Sequence, residues 1–255
     1  MRDRQDDVME MVMLAGEILL KNGAETYRVE ETVQRIGTAA GSLEAEAFAT
    51  QTGLIITLVN GVGETVTRVR RIRNRGISLN KVAQVNEVSR QLAEGRLSGD
   101  LAFSQLEKIS SAPMGYPTWV HIIAAGVGSG CFAYLLGSNF REFLLAVLAG
   151  VLIHGCRLTF AHWGINRLFP NFLGGLIAAG VGVLGQSFLP GVRADQVIIG
   201  AIMTLVPGLA ITHAVRDVIH EDLLSGLSRG AEAALVSVSV AVGVSLVLGF
   251  WLGVA

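Results

Sequence analysis

The sequence predicts an α+β cytoplasmic N-terminal domain, residues 1–113, followed by an all-α membrane domain of about five transmembrane helices, residues 114–255. Three observations predict it. Of the 41 charged side chains, 29 precede Pro113, and the 142 residues after it carry 12. The same C-terminal stretch holds 21 of the 31 glycines. The chain as a whole is 51% hydrophobic, with a mean hydropathy of +0.52 that exceeds that of ordinary soluble proteins. A charge at the bilayer centre costs about 3 kcal/mol, so long apolar stretches separated by short charged turns read as spanning helices.

In the N-terminal part, Val8, Met11, Ala15, Ile18 and Leu19 mark one amphipathic helix. Val29, Val33, Ile36 and Ala40 mark a second after the turn at Asn22-Gly23, with Gly41 ending it. Three β-rich stretches follow, Glu44–Thr50, Gly53–Val59 and Glu64–Arg73, the last two joined by a hairpin turn at Asn60-Gly61-Val62-Gly63. Their imperfect alternation leaves the register open. Two more helices are expected, Leu79–Ala93 and Ser98–Ile109, the second with Ser98 as N-cap and Asp100 in its first turn. The arginines at 68, 70, 71, 73 and 75 do not form a single cationic stripe on a strand; they suit a charged edge strand, with contact to phospholipid headgroups or to a neighbouring subunit as the alternatives. With no aromatic stacking set beside them, no nucleic-acid partner is expected.

A crossing needs about 20 mostly apolar residues. Five stretches qualify: Trp119–Gly137, Phe143–Ala161, Phe172–Leu189, Gln196–Val215 and Ala233–Val254. Tyr116 and Trp119 are expected at the membrane interface, so that the lipid bilayer is itself a partner. The loops Ser138–Glu142 and Pro190–Asp195 carry one arginine each, and the opposite side would hold the basic N-terminal domain with Arg167, Arg216 and Arg229. The positive-inside rule then places the N-terminal domain in the cytoplasm. Met1–Asp7 has no apolar signal core, and no cleaved leader is expected. Glycines such as Gly126, Gly130, Gly174, Gly175, Gly182 and Gly185 would let helices pack closely, or would line a substrate path. Cys131 and Cys156 are read as buried free thiols, with a disulfide as the alternative.

The candidate site lies around Pro207 and Gly208, which interrupt the fourth predicted span and would free carbonyls between Ile202 and Val206. His213, Arg216, Asp217 and His220 follow at spacings that share one side of a continuing helix. A guanidinium there can hold a substrate carboxylate through two parallel hydrogen bonds, or Arg216 and Asp217 can simply end the helix. Arg157 in the second span needs a partner: Asp217, Asp222, Glu232, a substrate carboxylate or the headgroup region. His154 and Glu232 are candidates for carrying a coupling proton. The substrate-binding set is therefore Arg157, Pro207, Gly208, His213, Arg216 and Asp217. No cofactor or metal is expected: His220-Glu221-Asp222 cannot all face one ion on a helix. The sequence has no zinc-protease pair, no Gly-x-Ser-x-Gly elbow and no phosphate loop with lysine, and no enzymatic function is expected.

Two stretches carry a resemblance. Gly23-Ala-Glu-Thr-Tyr-Arg-Val-Glu-Glu31, and Leu205-Val-Pro-Gly208 continuing through Arg216-Asp217 to Asp222, Ser225-Gly226 and Arg229, resemble the threonine/serine exporter (ThrE) family across nearly the whole chain. Length and span count resemble its split form, a YjjP-like subunit that pairs with a smaller YjjB-like membrane subunit. The resemblance implies a two-component inner-membrane exporter, in a higher oligomer, for threonine, serine or a succinate-like dicarboxylate. In the N-terminal stretch, Thr26 reads as a helix cap, and Arg28, Glu30 and Glu31 as helix-surface pairs. The alternative is a membrane-anchored metabolite sensor or regulatory protein, whose spans would have no use for buried Arg157 or His154.

Overall fold

A computed structural model of the chain describes residues 2–73, 75–113, 115–165 and 168–253. Arg167 and Val254, used above for orientation and for the last span, lie outside the described residues. The chain divides into two compact units. One comprises Met1–Gly115 and Thr212–Arg229, the other Tyr116–Ile211 and Gly230–Ala255.

The first unit opens with α1 (Arg2–Lys21) and α2 (Thr26–Ala39), followed by an antiparallel meander of β1 (Glu44–Thr50), β2 (Gly53–Val59) and β3 (Thr65–Arg71). It continues with α3 (Leu79–Ala93) and α4 (Gly99–Ser111). Helix α1 is buried far beyond the predicted stripe, with Met9, Val12 and Met13 inaccessible, because α2, α3, α4 and the sheet all pack around it. One sheet face, Ala45, Ala49, Leu54, Ile56 and Leu58, completes this core. Close approach depends on two glycines: a Cβ at Gly16 would stand 2.5 Å from the Leu54 side chain, and one at Gly37 would stand 2.7 Å from Ala45 Cβ.

The register that alternation left open pairs Phe48 with Ile55 and Ile55 with Val69. The β2–β3 turn forms at Asn60, whose Oδ1 accepts from the backbone N–H groups of Val62 and Glu64. Arg68 and Arg70 stand beside buried Ile56 and Leu54 and pair with Asp6 and Glu17 of α1, each at 2.6 Å. Ser98 takes the N-cap position of α4, but its hydroxyl makes no capping bond.

The second unit contains α5 (Thr118–Leu135), α6 (Phe140–His162), α7 (Leu168–Phe188) and α8 (Ala194–Ile202). It also holds most of α10 (Leu223–Trp251), while α9 (Gly208–Ile219) belongs mainly to the first unit. Among the described residues, four helices are long and apolar enough to cross a membrane: α5, α6, α7 and α10. The predicted fourth span is not one helix. Helix α8 has 9 residues and α9 has 12, each short of the roughly 20 that a crossing needs. Pro207 lies in the break and its carbonyl accepts from Ile211 N–H, so the proline starts α9 and does not kink a longer helix. The Ile202 carbonyl, expected to be free, accepts from Leu205 and Val206 N–H.

The glycines mark helix contacts. A Cβ at Gly175 would stand 2.3 Å from the Val240 carbonyl oxygen, and one at Gly243 would stand 2.2 Å from that of Phe172, so α7 and α10 touch backbone to backbone. Gly243→Ala is expected to cost about 2 kcal/mol, because backbone cannot yield as a side chain does. Gly249→Ala on the same helix, where a Cβ meets nothing within 4 Å, should melt like the parent in detergent. The two loops predicted to share a side are joined: buried Glu142 completes a capping box with Asn139 and accepts from Arg193 N–H at 2.8 Å. Both cysteines are free, and Cys131 is exposed, contrary to the expectation of burial.

Candidate functional site: a buried charge cluster

Of the two stretches that carried the family resemblance, Gly23–Glu31 and the part of the other from Arg216 to Arg229 meet in the first unit. The tight turn Asn22–Glu25, with Gly23 at φ +86°, delivers Glu25 as the N-cap residue of α2. The Glu25 carboxylate is almost fully buried. It accepts from Arg216 Nη1, pairs with Arg28 Nε at 3.0 Å and lies 3.9 Å from His213 Nε2. Burial pushes its pKa up, but the Tyr27 hydroxyl, Arg216 and Arg28 together hold it below the ordinary carboxylate value. Tyr27 stacks on His220 with ring centroids 4.2 Å apart.

One residue on, Thr26 is the first residue of α2 and not its cap. Its hydroxyl donates to Asp217 Oδ1 at 3.2 Å. Asp217 is fully buried, and Arg229 Nε lies 2.9 Å from its Oδ2, although neither atom makes an aligned hydrogen bond. Arg229 also donates to the Ala24 carbonyl at 3.1 Å and lies 3.4 Å from His213 Nδ1. Burial drives the Asp217 pKa up against the pull of Arg229, and Asp222 adds to the rise.

The two carboxylates therefore respond oppositely to pH. Glu25, depressed in the folded state, contributes stability that is present above its unfolded pKa and lost as pH falls through its folded pKa. Asp217, raised in the folded state, destabilises once pH rises through its folded pKa, and that cost vanishes on acidification. Across the acidic limb, Glu25→Gln is expected to flatten the acid-side loss of melting temperature. Asp217→Asn should steepen it, because the opposing contribution is gone.

The corner between α9 and α10 places these groups. Asp222 N–H donates to the Asp217 carbonyl and Glu221 N–H to that of Val218, a Schellman cap with Glu221 at φ +65°, where glycine is usual. Asp222 then caps α10 by accepting from Ser225 N–H at 3.2 Å. A Cβ on Gly226 would stand 2.6 Å from Val218 Cγ2, so the two helices touch directly at the corner. Glu221→Gly is expected to raise thermal stability by about 0.5–1 kcal/mol by relieving the left-handed strain.

Of the residues singled out in the sequence, His213, Arg216 and Asp217 come together here, with His220 beside them. Pro207 and Gly208 lie at the start of α9. Arg157 and His154 lie on α6 in the other unit, where His154 stacks against His121 of α5 at 6.3 Å. Asp217 pairs with Arg229 of its own unit. Glu232 also belongs to the other unit. Sequence reasoning missed Glu25, Thr26 and Arg229 as cluster members. The signal was there: an acid and a hydroxyl in one quoted stretch, an arginine and an aspartate in the other. Among the described residues no group of three His, Cys, Asp or Glu could hold a metal ion.

Chemically, the cluster sets two carboxylates, Glu25 and Asp217, among three guanidinium groups, Arg28, Arg216 and Arg229, with the His213 imidazole between the two pairs. Arg216 is 46% exposed while its partner Glu25 is 6% exposed, so solvent-borne anions can compete for one arm of this guanidinium.

The family described as "Putative threonine/serine exporter" matches residues 10–251. The chain is 28% identical to the "Probable succinate transporter subunit YjjP" of Escherichia coli over 98% of this chain and 96% of that protein. Identity is 26% to the protein of the same description from Klebsiella aerogenes, over the same shares. It is 24% identical to the "Probable threonine/serine exporter" of Mycobacterium tuberculosis, over 94% of this chain and 46% of that longer protein. No solved structure matches the chain significantly. The two motif stretches that close around Asp217 thus sit inside a match covering nearly the whole sequence, and the chain belongs to the threonine/serine exporter family, a family of exporters and not of enzymes.

Proposed function

We propose that this chain is one subunit of a secondary exporter of small carboxylate-bearing metabolites, threonine and serine or a succinate-like dicarboxylate, in an inner membrane. Residues 1–113 form its cytoplasmic domain and residues 114–255 its membrane domain. The observation that carries the reading is the half-exposed Arg216 paired with buried Glu25, next to the Asp217–Arg229 pair. A substrate carboxylate replaces Glu25 on Arg216. An amino acid then offers its ammonium to the released Glu25, whereas a dicarboxylate offers its second carboxylate to Arg229. His213 lies between both pairs and responds to either exchange.

The break at Pro207 supports a fifth, discontinuous crossing over Gln196–Val215, from α8 into the first turns of α9 and ending before Arg216, an arrangement that transporters use at their binding sites. Arg157 on α6 provides a second carboxylate contact along the path, and His154 and Glu232 carry the coupling proton. An odd number of crossings leaves an internal pseudo-twofold incomplete, and a smaller YjjB-like subunit completes it. Relatives of matching length carry the word subunit in their descriptions, in line with this.

The test is efflux of preloaded labelled threonine and succinate from cells lacking their own exporters, with this chain expressed alone and with the smaller subunit. Efflux of one compound only when both chains are present supports the proposal and selects the substrate. Full efflux by this chain alone ends the two-subunit reading. No efflux of either compound, with both chains folded in the membrane, ends the exporter reading for these substrates and favours the sensor alternative.

A further inference from the structure

The sheet of the first unit has a second face, turned away from α1 and α2. Along it, Phe48, Ile55 and Val69 form one row straight across the three strands, 54%, 39% and 72% exposed. Antiparallel sheets with one solvated face normally alternate hydrophobic-in and polar-out. Here the middle of the outward face is apolar, a feature that marks interaction surfaces.

The rows on either side carry opposite charges at opposite corners. On one side the row reads Glu46, Thr57, Thr67, and on the other Thr50, Gly53, Arg71. Glu46 and Arg71 are exposed, and neither has an ion-pair partner among the described residues. A twofold axis lying in this face, along the diagonal from Thr50 through Ile55 to Thr67, swaps the two charged corners. It sets each Glu46 over the Arg71 of a second copy, seats each Phe48 ring over the other copy's Gly53, where no side chain stands, and brings the two Ile55 side chains together on the axis. The strands then cross at near right angles, one of the two standard ways in which sheets pack face to face. An axis parallel to the strands instead places Glu46 over Thr67 and leaves both charges unmatched.

We infer that the outward sheet face is an isologous contact between two copies of this chain, centred on Ile55 and held in register by reciprocal Glu46–Arg71 pairs. Self-complementarity of this kind is what a twofold interface requires. An anionic lipid surface fits less well, because Glu44 and Glu46 share the face with the apolar row. The patch is small beside a standard protein interface, but copies held in one membrane meet at high effective concentration. The inference does not depend on which metabolite is exported.

The test uses the full-length chain in membranes, with Cys131 and Cys156 replaced by serine, and a short bis-maleimide. Ile55→Cys is expected to yield a covalent dimer. Co-expression of a Glu46→Cys copy with a differently tagged Arg71→Cys copy should cross-link the two tags, while either variant alone should not. On the Ile55→Cys background, Glu46→Arg should lower the dimer yield severalfold, and adding Arg71→Glu should restore it. Restoration separates interface loss from misfolding, since only a reciprocal pair is repaired by the swap. Equal cross-linking of Glu46→Cys with itself would overturn the diagonal register. Absence of any Ile55→Cys dimer, with the maleimide site shown to be reactive, would overturn the interface. Cross-linking of Ile55→Cys to the smaller subunit or to nothing but lipid-anchored reagent would likewise overturn a second copy as the occupant.

Discussion

Arg229→Ala is expected to lower stability by about 3 kcal/mol, more than any other single change in the cluster. Arg229 is 12% exposed and Asp217 fully buried, so its removal leaves a desolvated carboxylate without its cation. The same side chain holds the Ala24 carbonyl and approaches His213, both of which lose a contact. Asp217, already pushed up by burial, responds by taking a proton, and the variant should be markedly more stable in acid than at neutral pH. Thermal melting of the detergent-purified chain across pH measures this. The double variant Arg229→Met with Asp217→Leu removes both charges and should recover most of the stability, as apolar replacements of buried pairs often do. If that double variant folds and still exports substrate, the pair serves structure alone. If it folds and is silent, the pair acts in transport.

Arg216→Ala should show the reverse balance. Its side chain is 46% exposed, and Glu25 keeps Arg28 at 3.0 Å when Arg216 is gone. The stability cost should therefore stay within about 1 kcal/mol, the range of exposed ion pairs. Efflux should fall at least about tenfold, since a bidentate carboxylate contact contributes well over 1.4 kcal/mol. Arg216→Lys should recover only part of that loss, because a lysine keeps the charge and loses the fork. Measuring efflux against the amount of folded protein in the membrane separates the two effects. A proportional fall in both would assign Arg216 to holding the α9–α10 corner onto α2. Arg157→Ala, tested alongside, carries the same expectation of transport falling further than folded protein.

Much of the local structure was legible from residue pattern. Strands β1 and β2 and helix α3 begin and end where alternation, turn residues and helical spacing place them, because these signals are local and nothing in the fold overrides them. The six glycines picked out for close helix approach all sit against a neighbouring residue at distances a Cβ would make too short. Gln196–Val215 is mostly apolar and reads as one span, yet Pro207, a local signal, starts a new helix there. Elsewhere the deciding contact was remote. Thr26 has the side chain of a helix cap, but Glu25 takes the cap position and Thr26 reaches Asp217, 191 residues away in sequence.

The sequence by itself determined that this is a chain with a charged α+β part and a glycine-rich apolar part, and it contained both motifs that identify the family. Charge density, hydropathy and turn chemistry are properties of neighbouring residues, and they survive without knowledge of the fold. Only the tertiary structure decided who pairs with whom. An arginine can satisfy any buried carboxylate, so Arg157, Arg216 and Arg229 were interchangeable partners on paper. Burial made the choice: the residues 212–229 pack with the N-terminal segment, and within that unit the desolvated carboxylates of Glu25 and Asp217 each require the guanidinium that the α9–α10 corner brings within reach.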